Sequence, residues 1–247
     1  MCSPSGWVFS RPVIAGIAGF LLSLPPAHAE WTLAAYLGGA HTVPTSLRLQ
    51  APQGNSDLLL QPVSYQTKPF QSPVYYGYRA GYFFTRHFGV EGEFTHLKVY
   101  AETERTVQIS GTWQGVAMNE SAPLDSVVQR FNITYGVNLI LTNFVARKAF
   151  RPEGQAARFL LAGRVGVGFT VPHAENEILG VSNSEHYQVG HAAWQVGAGF
   201  EVRLWRRLYA ETGIKYTRTD QSVDIAQGTA ESQLKSTHAV AGFVWHL

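Results

Sequence analysis

Two sets of side chains in this 247-residue chain have the types to do chemistry. The first is His173, Glu175, His191 and His238, whose neutral imidazoles and carboxylate oxygens together suit zinc, iron or copper. A metal held there with an open position would activate water or oxygen. No pair of histidines has tight ligand spacing, so only the fold could assemble such a site; the competing reading is that these are ordinary rim and loop histidines. The second set is ionic: Arg79, Glu91, Glu93, Arg158, Arg164, Glu201, Arg203, Glu211 and Lys215, each in a stretch where ionisable and apolar residues alternate.

The stretch EVRLWRRLYAETGIKY (201–216) shows what must position them. Glu201, Arg203, Glu211 and Lys215 interleave with Val202, Leu204, Ala210 and Ile214, and a period of two belongs to a β-strand whose successive side chains point to opposite faces. Eight segments read this way: 31–39, 74–85, 88–100, 130–142, 158–171, 190–204, 208–217 and 236–247. Each is long enough for a tilted strand to cross a bilayer.

Two features decide which face meets water. The polar face mixes charge with glycines such as Gly77, Gly81, Gly166, Gly199 and Gly242, which suits a narrow eight-stranded interior where large side chains fit only beside small ones. The other face is continuous, large and aromatic, a surface that soluble monomers rarely expose. Apolar residues therefore face lipid and polar residues face inward, giving an all-β, eight-stranded antiparallel transmembrane barrel. A lipocalin-like soluble barrel would invert the two faces. Each enclosed ion then needs a partner, because an unpaired buried charge is expensive. The ionic interior reads as a plug and not as an open channel.

The connections alternate in length: 40–73, 86–87, 101–129, 143–157, 172–189, 205–207 and 218–235. Outer-membrane barrels pair short periplasmic turns with long outer loops, so both termini are expected in the periplasm. Trp31, Phe84, Phe88, Phe159, Trp205, Phe243 and Trp245 then fall near one interface, and Tyr76, Phe131, Phe169, Trp194 and Tyr216 near the other, as two aromatic girdles. Connection 143–157, NFVARKAFRPEGQAA, is longer and more basic than such a turn should be.

Residues 1–29 carry one basic residue, Arg11, an apolar run from Val13 to Leu24 and the small-x-small sequence Ala27-His28-Ala29, the layout of a secretory signal peptide cleaved after Ala29. The sole cysteine, Cys2, leaves with it, so thiol chemistry is excluded from the barrel domain, residues 30–247. Without Arg11 the charge balance is 18 basic against 17 acidic residues, net +1, which gives no electrostatic case for nucleic acid. Aromatics at 13% and 24 glycines accord with β structure.

Through YYGYRAGYFFTRHFGVEGEF, a strand, tight turn and strand, and through the alternating terminal AVAGFVWHL, the chain resembles small outer-membrane barrels of the OmpA and opacity-protein kind. The resemblance implies residence in the bacterial outer membrane and insertion by the barrel-assembly machinery through the terminal strand, although Leu247 stands where Phe or Trp is usual. It further implies a structural or surface-interaction role, with the lipid and lipopolysaccharide of that membrane as partners. Lys98 and the rim arginine Arg130 are candidate contacts for lipopolysaccharide phosphates, the competing reading being a solvated strand end. A monomer is expected. YLGGAHTVPTS and PFQSPVYYG resemble outer-membrane lipid A oxidases over about forty residues, with Pro44-Thr45-Ser46 where that family has Pro-His-Ser. The rival function is accordingly a lipid A modifying enzyme.

Overall fold

The computed structural model describes residues 29–247 apart from 52–53, 134–135, 151–156, 185–186, 188 and 226–227; the expected signal peptide lies outside the described residues. Among the described residues seventeen strands follow in chain order. The first nine are β1 (Glu30–Thr42), β2 (Thr45–Ala51), β3 (Ser56–Val63), β4 (Tyr65–Gln66), β5 (Tyr76–Phe83), β6 (Phe88–His96), β7 (Val99–Ala101), β8 (Thr106–Trp113) and β9 (Val116–Pro123). The rest are β10 (Val128–Ile133), β11 (Leu139–Phe150), β12 (Phe159–Thr170), β13 (Glu175–Ile178), β14 (Val181–Ser184), β15 (Ala192–Trp205), β16 (Leu208–Ile225) and β17 (Gly228–His246).

Eight of them close a barrel in the order β1-β5-β6-β11-β12-β15-β16-β17. β1 returns to β17 in an antiparallel ladder from Thr32↔His246 to Thr42↔Ser236, which removes the open edges. Alternation holds along every wall. In β12, Leu160, Ala162 and Arg164 point inward while Leu161, Val165 and Val167 stand exposed on the outside. Glycine makes the narrow interior possible: a Cβ on Gly199 would sit 2.6 Å from Glu211 Oε1 and 2.7 Å from Arg164 Nη1. One on Gly77 would fall on the Tyr36 ring.

The other nine strands overturn the expectation of long loops. β16 and β17 run on past the barrel, and β2 pairs with β17, β3 with β2, β8 with β3 and β9 with β8. A second sheet, β14-β13-β10-β7-β4, faces them. Leu47, Leu49, Leu58, Leu60 and Ile109 from the first sheet pack with Val99, Val128, Phe131, Ile133 and Ile178 from the second in one apolar core. The barrel thus has a turn end, where the short connections and both described chain ends lie, and an extended end built of strands.

The fourth crossing segment is also corrected. Residues 130–133 belong to β10 in the extension, and the wall is β11, Leu139–Phe150. Gly136 and Asn138 take positive φ (99° and 48°) between the two and break the run that looked continuous. The basic connection 143–157 is therefore largely strand: Asn143, Val145 and Arg147 face in, Phe144 and Lys148 face out. Leu139 and Leu141, expected to face lipid, point into the apolar core above the ions, and Phe131 lies in that core, away from any girdle. The other girdle residues stay at least partly exposed; the Trp31 and Tyr82 rings meet tilted at 5.0 Å, and those of Trp194 and Tyr216 at 5.5 Å.

Candidate functional site

The inward side chains of the barrel form tiers. Nearest the extension, the buried His238 lies between Tyr75 Oη (2.9 Å to Nδ1) and Thr217 Oγ1 (2.8 Å to Nε2). Below it Lys215 Nζ donates to Glu93 Oε1 (2.8 Å), Thr95 Oγ1 (2.7 Å) and Tyr36 Oη (3.1 Å). Glu93 also accepts from Tyr36 Oη (2.6 Å), Asn143 Nδ2 (2.8 Å) and Gln195. Arg79 pairs with Glu211, and Arg164 bridges Glu91 (2.8 Å) and Glu211 (3.3 Å). At the turn end His246 lies between Glu30 (2.5 Å) and Glu201 (2.9 Å), while Arg147 pairs with Glu30 and covers the Phe83 ring at 3.6 Å.

Arg79, Arg147, Arg164 and Lys215, with His246 held between two carboxylates, thus stand against Glu30, Glu91, Glu93, Glu201 and Glu211. Pairing of this kind is what makes enclosed charge tolerable.

Seven of the nine ionic residues singled out in the sequence line this interior: Arg79, Glu91, Glu93, Arg164, Glu201, Glu211 and Lys215. Two do not join them. Arg158 precedes β12 and is exposed, its guanidinium 5.5 Å over the Phe159 ring. Arg203 has the inward parity but sits where the β15–β16 ladder shifts register at the turn end, and it is only half-buried. Sequence reasoning missed Arg147, hidden in the supposed connection, and Glu30, His246, Tyr36 and Asn143 as members of the network; parity along β1, β11 and β17 is the signal that finds them.

The metal candidates are dispersed, which corrects that expectation. His238 has both ring nitrogens engaged by hydroxyls. It pairs in register with Lys215, opposite Gly197, six residues along β15 from the exposed His191, or roughly 20 Å of strand. His173 packs its ring 5.0 Å from Tyr187, and Glu175 sits in the β13 ladder opposite Asn132. Among the described residues no three or more His, Cys, Asp or Glu side chains converge on a metal-sized point.

Lys98, expected as a phosphate contact, is buried and donates to the Gln71 carbonyl (2.6 Å), its ammonium lowered by that burial and by Lys68 nearby. Arg130 reaches Glu177 at 3.2 Å. In the extension, a two-pronged hydrogen bond from Arg48 (2.8 and 2.5 Å) holds the Asp57 carboxyl below its ordinary range, and burial raises the Tyr65 hydroxyl.

A second feature lies at the turn end. A cavity of about 570 Å³ opens there, with His246, Tyr209, Leu160 and Arg147 as its floor and Arg86, His87, Arg206 and Arg207 around its mouth.

A closed barrel with an ion-paired interior and a lipid-compatible outer wall defines an integral barrel protein of the bacterial outer membrane. The chain belongs to the outer membrane protein beta-barrel domain family, whose model matches residues 17–246. Solved structures similar to it include OprG from Pseudomonas aeruginosa (11% identity, TM-score 0.47, covering 89% of this chain and 96% of that one). Neisserial surface protein A is another (10%, 0.37, 88% and 98%), as is the attachment invasion locus protein Ail of Yersinia pestis (14%, 0.34, 88% and 99%). No curated protein matches the chain. The family match does not show the resemblance to lipid A oxidases.

Proposed function

We propose that this protein is a non-conducting outer-membrane barrel that presents a folded recognition surface to the outside of the cell, with both termini in the periplasm and a single chain as the functional unit. The observation that carries this reading is the extension: two sheets with an apolar core of their own, continuous with barrel strands β16 and β17. A barrel needing only to span the membrane has no use for such a core, whereas an interaction surface does, since ordering a flexible loop on contact would cost affinity. The ion pairs across the lumen support the absence of conduction. Lipopolysaccharide and phospholipid surround the apolar wall, and the barrel-assembly machinery inserts the chain. The dispersal of His173, Glu175, His191 and His238 lends an enzymatic reading no support.

The test is an epitope tag placed in turn one of two ways. A tag at Gln114–Gly115, between β8 and β9, is expected to be detected by antibody on intact cells, and a tag at Arg206–Arg207, between β15 and β16, only after the outer membrane is permeabilised. The reverse pattern overturns the orientation, and steady single-channel conductance of the untagged protein in planar bilayers overturns the closed lumen.

A further inference from the structure

One large apolar side chain belongs neither to a barrel strand nor to the core of the extension. Phe70 is 88% exposed, more than any other large hydrophobic residue among the described residues. It lies between β4 and β5 in the run TKPFQSP (67–73), whose other side chains are polar or proline.

The run is fastened to the outside of the wall. β1 pairs with β5 only as far as Leu37↔Tyr76, and beyond that row Thr67 Oγ1 donates to the Ala40 carbonyl of β1. The Pro69 carbonyl accepts from the backbone of Tyr75 (2.8 Å), and the Lys68 carbonyl from that of Gln71 (3.2 Å). The Gln71 carbonyl in turn takes the bond from Lys98 Nζ (2.6 Å). Gly39 supplies the seat. Its parity is that of the exposed Leu37 and His41, and a Cβ there, directed outward, would stand 3.3 and 3.4 Å from two carbons of the Pro69 ring. Pro69 therefore lies over the outer face of β1, and Phe70 follows it.

That seat is at the height of the aromatic girdle. Gly39 is two residues beyond Leu37, the partner of Tyr76, or about 5 Å along the axis of a barrel whose strands tilt by about 40°. The exposed Leu37 and Tyr78 stand below, and the exposed Val74 joins the run to β5, so Phe70 continues the lipid-facing surface. An aromatic ring held at this level is where apolar wall gives way to headgroups.

Lys68 completes the arrangement. It is exposed, its ammonium lies 4.7 Å over the Tyr100 ring, and among the described residues it has no ion-pair partner. Lys98 Nζ stands 5.7 Å from the centre of the same ring, which makes the spot more positive still. Residues 134 and 135, next in the chain to β10 and outside the described residues, are Thr and Tyr and bring no acidic group.

We propose that Lys68-Pro69-Phe70 is a lipid anchor set outside the barrel wall, with the Phe70 ring among the acyl chains of the adjoining leaflet and the Lys68 ammonium at its phosphates. A long lysine stem lets the charge stay at the headgroups while the neighbouring chain lies deeper. The anchor fixes the depth of the β1–β5 side of the barrel in the membrane. It rests on the lipid-facing wall and holds whichever side of the membrane the extended end faces.

The experiment adds a tryptophan by Phe70→Trp in the full chain, reconstituted in phosphatidylcholine vesicles with brominated acyl chains. Val116→Trp, at the β8–β9 turn of the extension, is the comparison. Each emission is read as the difference from the unmodified protein, whose tryptophans include Trp31 and Trp245 on the wall. Brominated chains should remove the added emission at position 70 and leave that at position 116, and water-borne acrylamide should do the reverse. Adding Lys68→Glu to Phe70→Trp in brominated phosphatidylglycerol sets a carboxylate against anionic headgroups and should return the emission. A heat-dependent gel shift confirms that each variant is folded. Emission at position 70 that survives brominated lipid and is lost to acrylamide overturns the anchor, and quenching undiminished by Lys68→Glu overturns the part given to the lysine. Wall tryptophans quenched while position 70 is not confine the failure to this proposal; wall tryptophans that also escape quenching overturn the lipid-facing wall with it.

Discussion

Replacing Glu93 by Leu tests whether the lumen is a dry plug. Glu93 takes hydrogen bonds from Lys215, Tyr36, Asn143 and Gln195, so its removal strands one enclosed ammonium and three neutral donors. Breaking a buried ion pair from one side costs about 3–5 kcal/mol. Here the neighbours can partly regroup, since Lys215 still reaches Thr95 (2.7 Å) and Gln195 still reaches Asn143 Oδ1 (2.6 Å). The expected loss therefore lies near the lower bound, at about 3 kcal/mol. Adding Lys215→Met removes the stranded charge and should return most of that loss, because a buried pair replaced by apolar groups of similar volume is often neutral. The assay is urea unfolding in lipid vesicles, followed by tryptophan emission, on the two single variants and the double. A Glu93→Leu loss below about 1 kcal/mol, the range of solvated pairs, would mean that water fills the lumen and would refute the reasoning. So would a double variant as unstable as the two singles added together.

Gly77→Ala places a methyl on the Tyr36 ring and should destabilise the barrel by about 1–3 kcal/mol, while Gly92→Ala, whose Cβ meets nothing within 4 Å, should stay within about 0.5 kcal/mol; the same urea titration separates them. Ile109→Ala empties a fully buried position in the extension and should cost about 2–5 kcal/mol there, read as faster tryptic cleavage at Arg105 in a barrel that keeps its heat-dependent gel shift. Unchanged cleavage would mean that β8 is not held by a core.

The barrel itself was legible because β12, β15 and the barrel portions of β16 and β17 alternate without interruption, with charge and glycine on one face and bulk on the other. The extension was not, although SLRLQA and TVQISG alternate as regularly. These runs are short, are separated by turn residues, and carry their apolar residues on the face continuous with the lumen, where Leu47 and Leu49 pair with Ser232 and Ala230 on the inward side of β17, whereas in the barrel walls the apolar face is the outer one. Nothing local distinguishes a leucine that faces lipid from one that faces another sheet. The same ambiguity displaced the fourth wall strand. Apolar alternation runs on from β10 into the start of β11, and only the backbone reversal at Gly136 and Asn138 separates the two. Of the metal candidates, composition was visible and distance was not: His191, just before β15, and His238, on β17, are separated by one strand, but at heights that the sequence could not assign before the β16 ladder was known to extend to Ile225.

That ladder fixes how far the molecule stands proud of the lipid. β17 has 19 residues, which at about 3.3 Å each make a strand roughly 60 Å long, or about 47 Å along the axis when tilted by about 40°. An apolar band about 25 Å tall accounts for little more than half of this. Some 20 Å of hairpin therefore rises beyond the bilayer, paired in unbroken register from Leu208↔Trp245 to Ile225↔Gly228. A strand pair with no interruption has no hinge, so the height and lean of the outermost surface are set by the barrel's own tilt. Whatever meets that surface encounters a rigid mast, and the insertion or deletion of two residues in each of β16 and β17 would raise or lower it by about 5 Å without turning its faces.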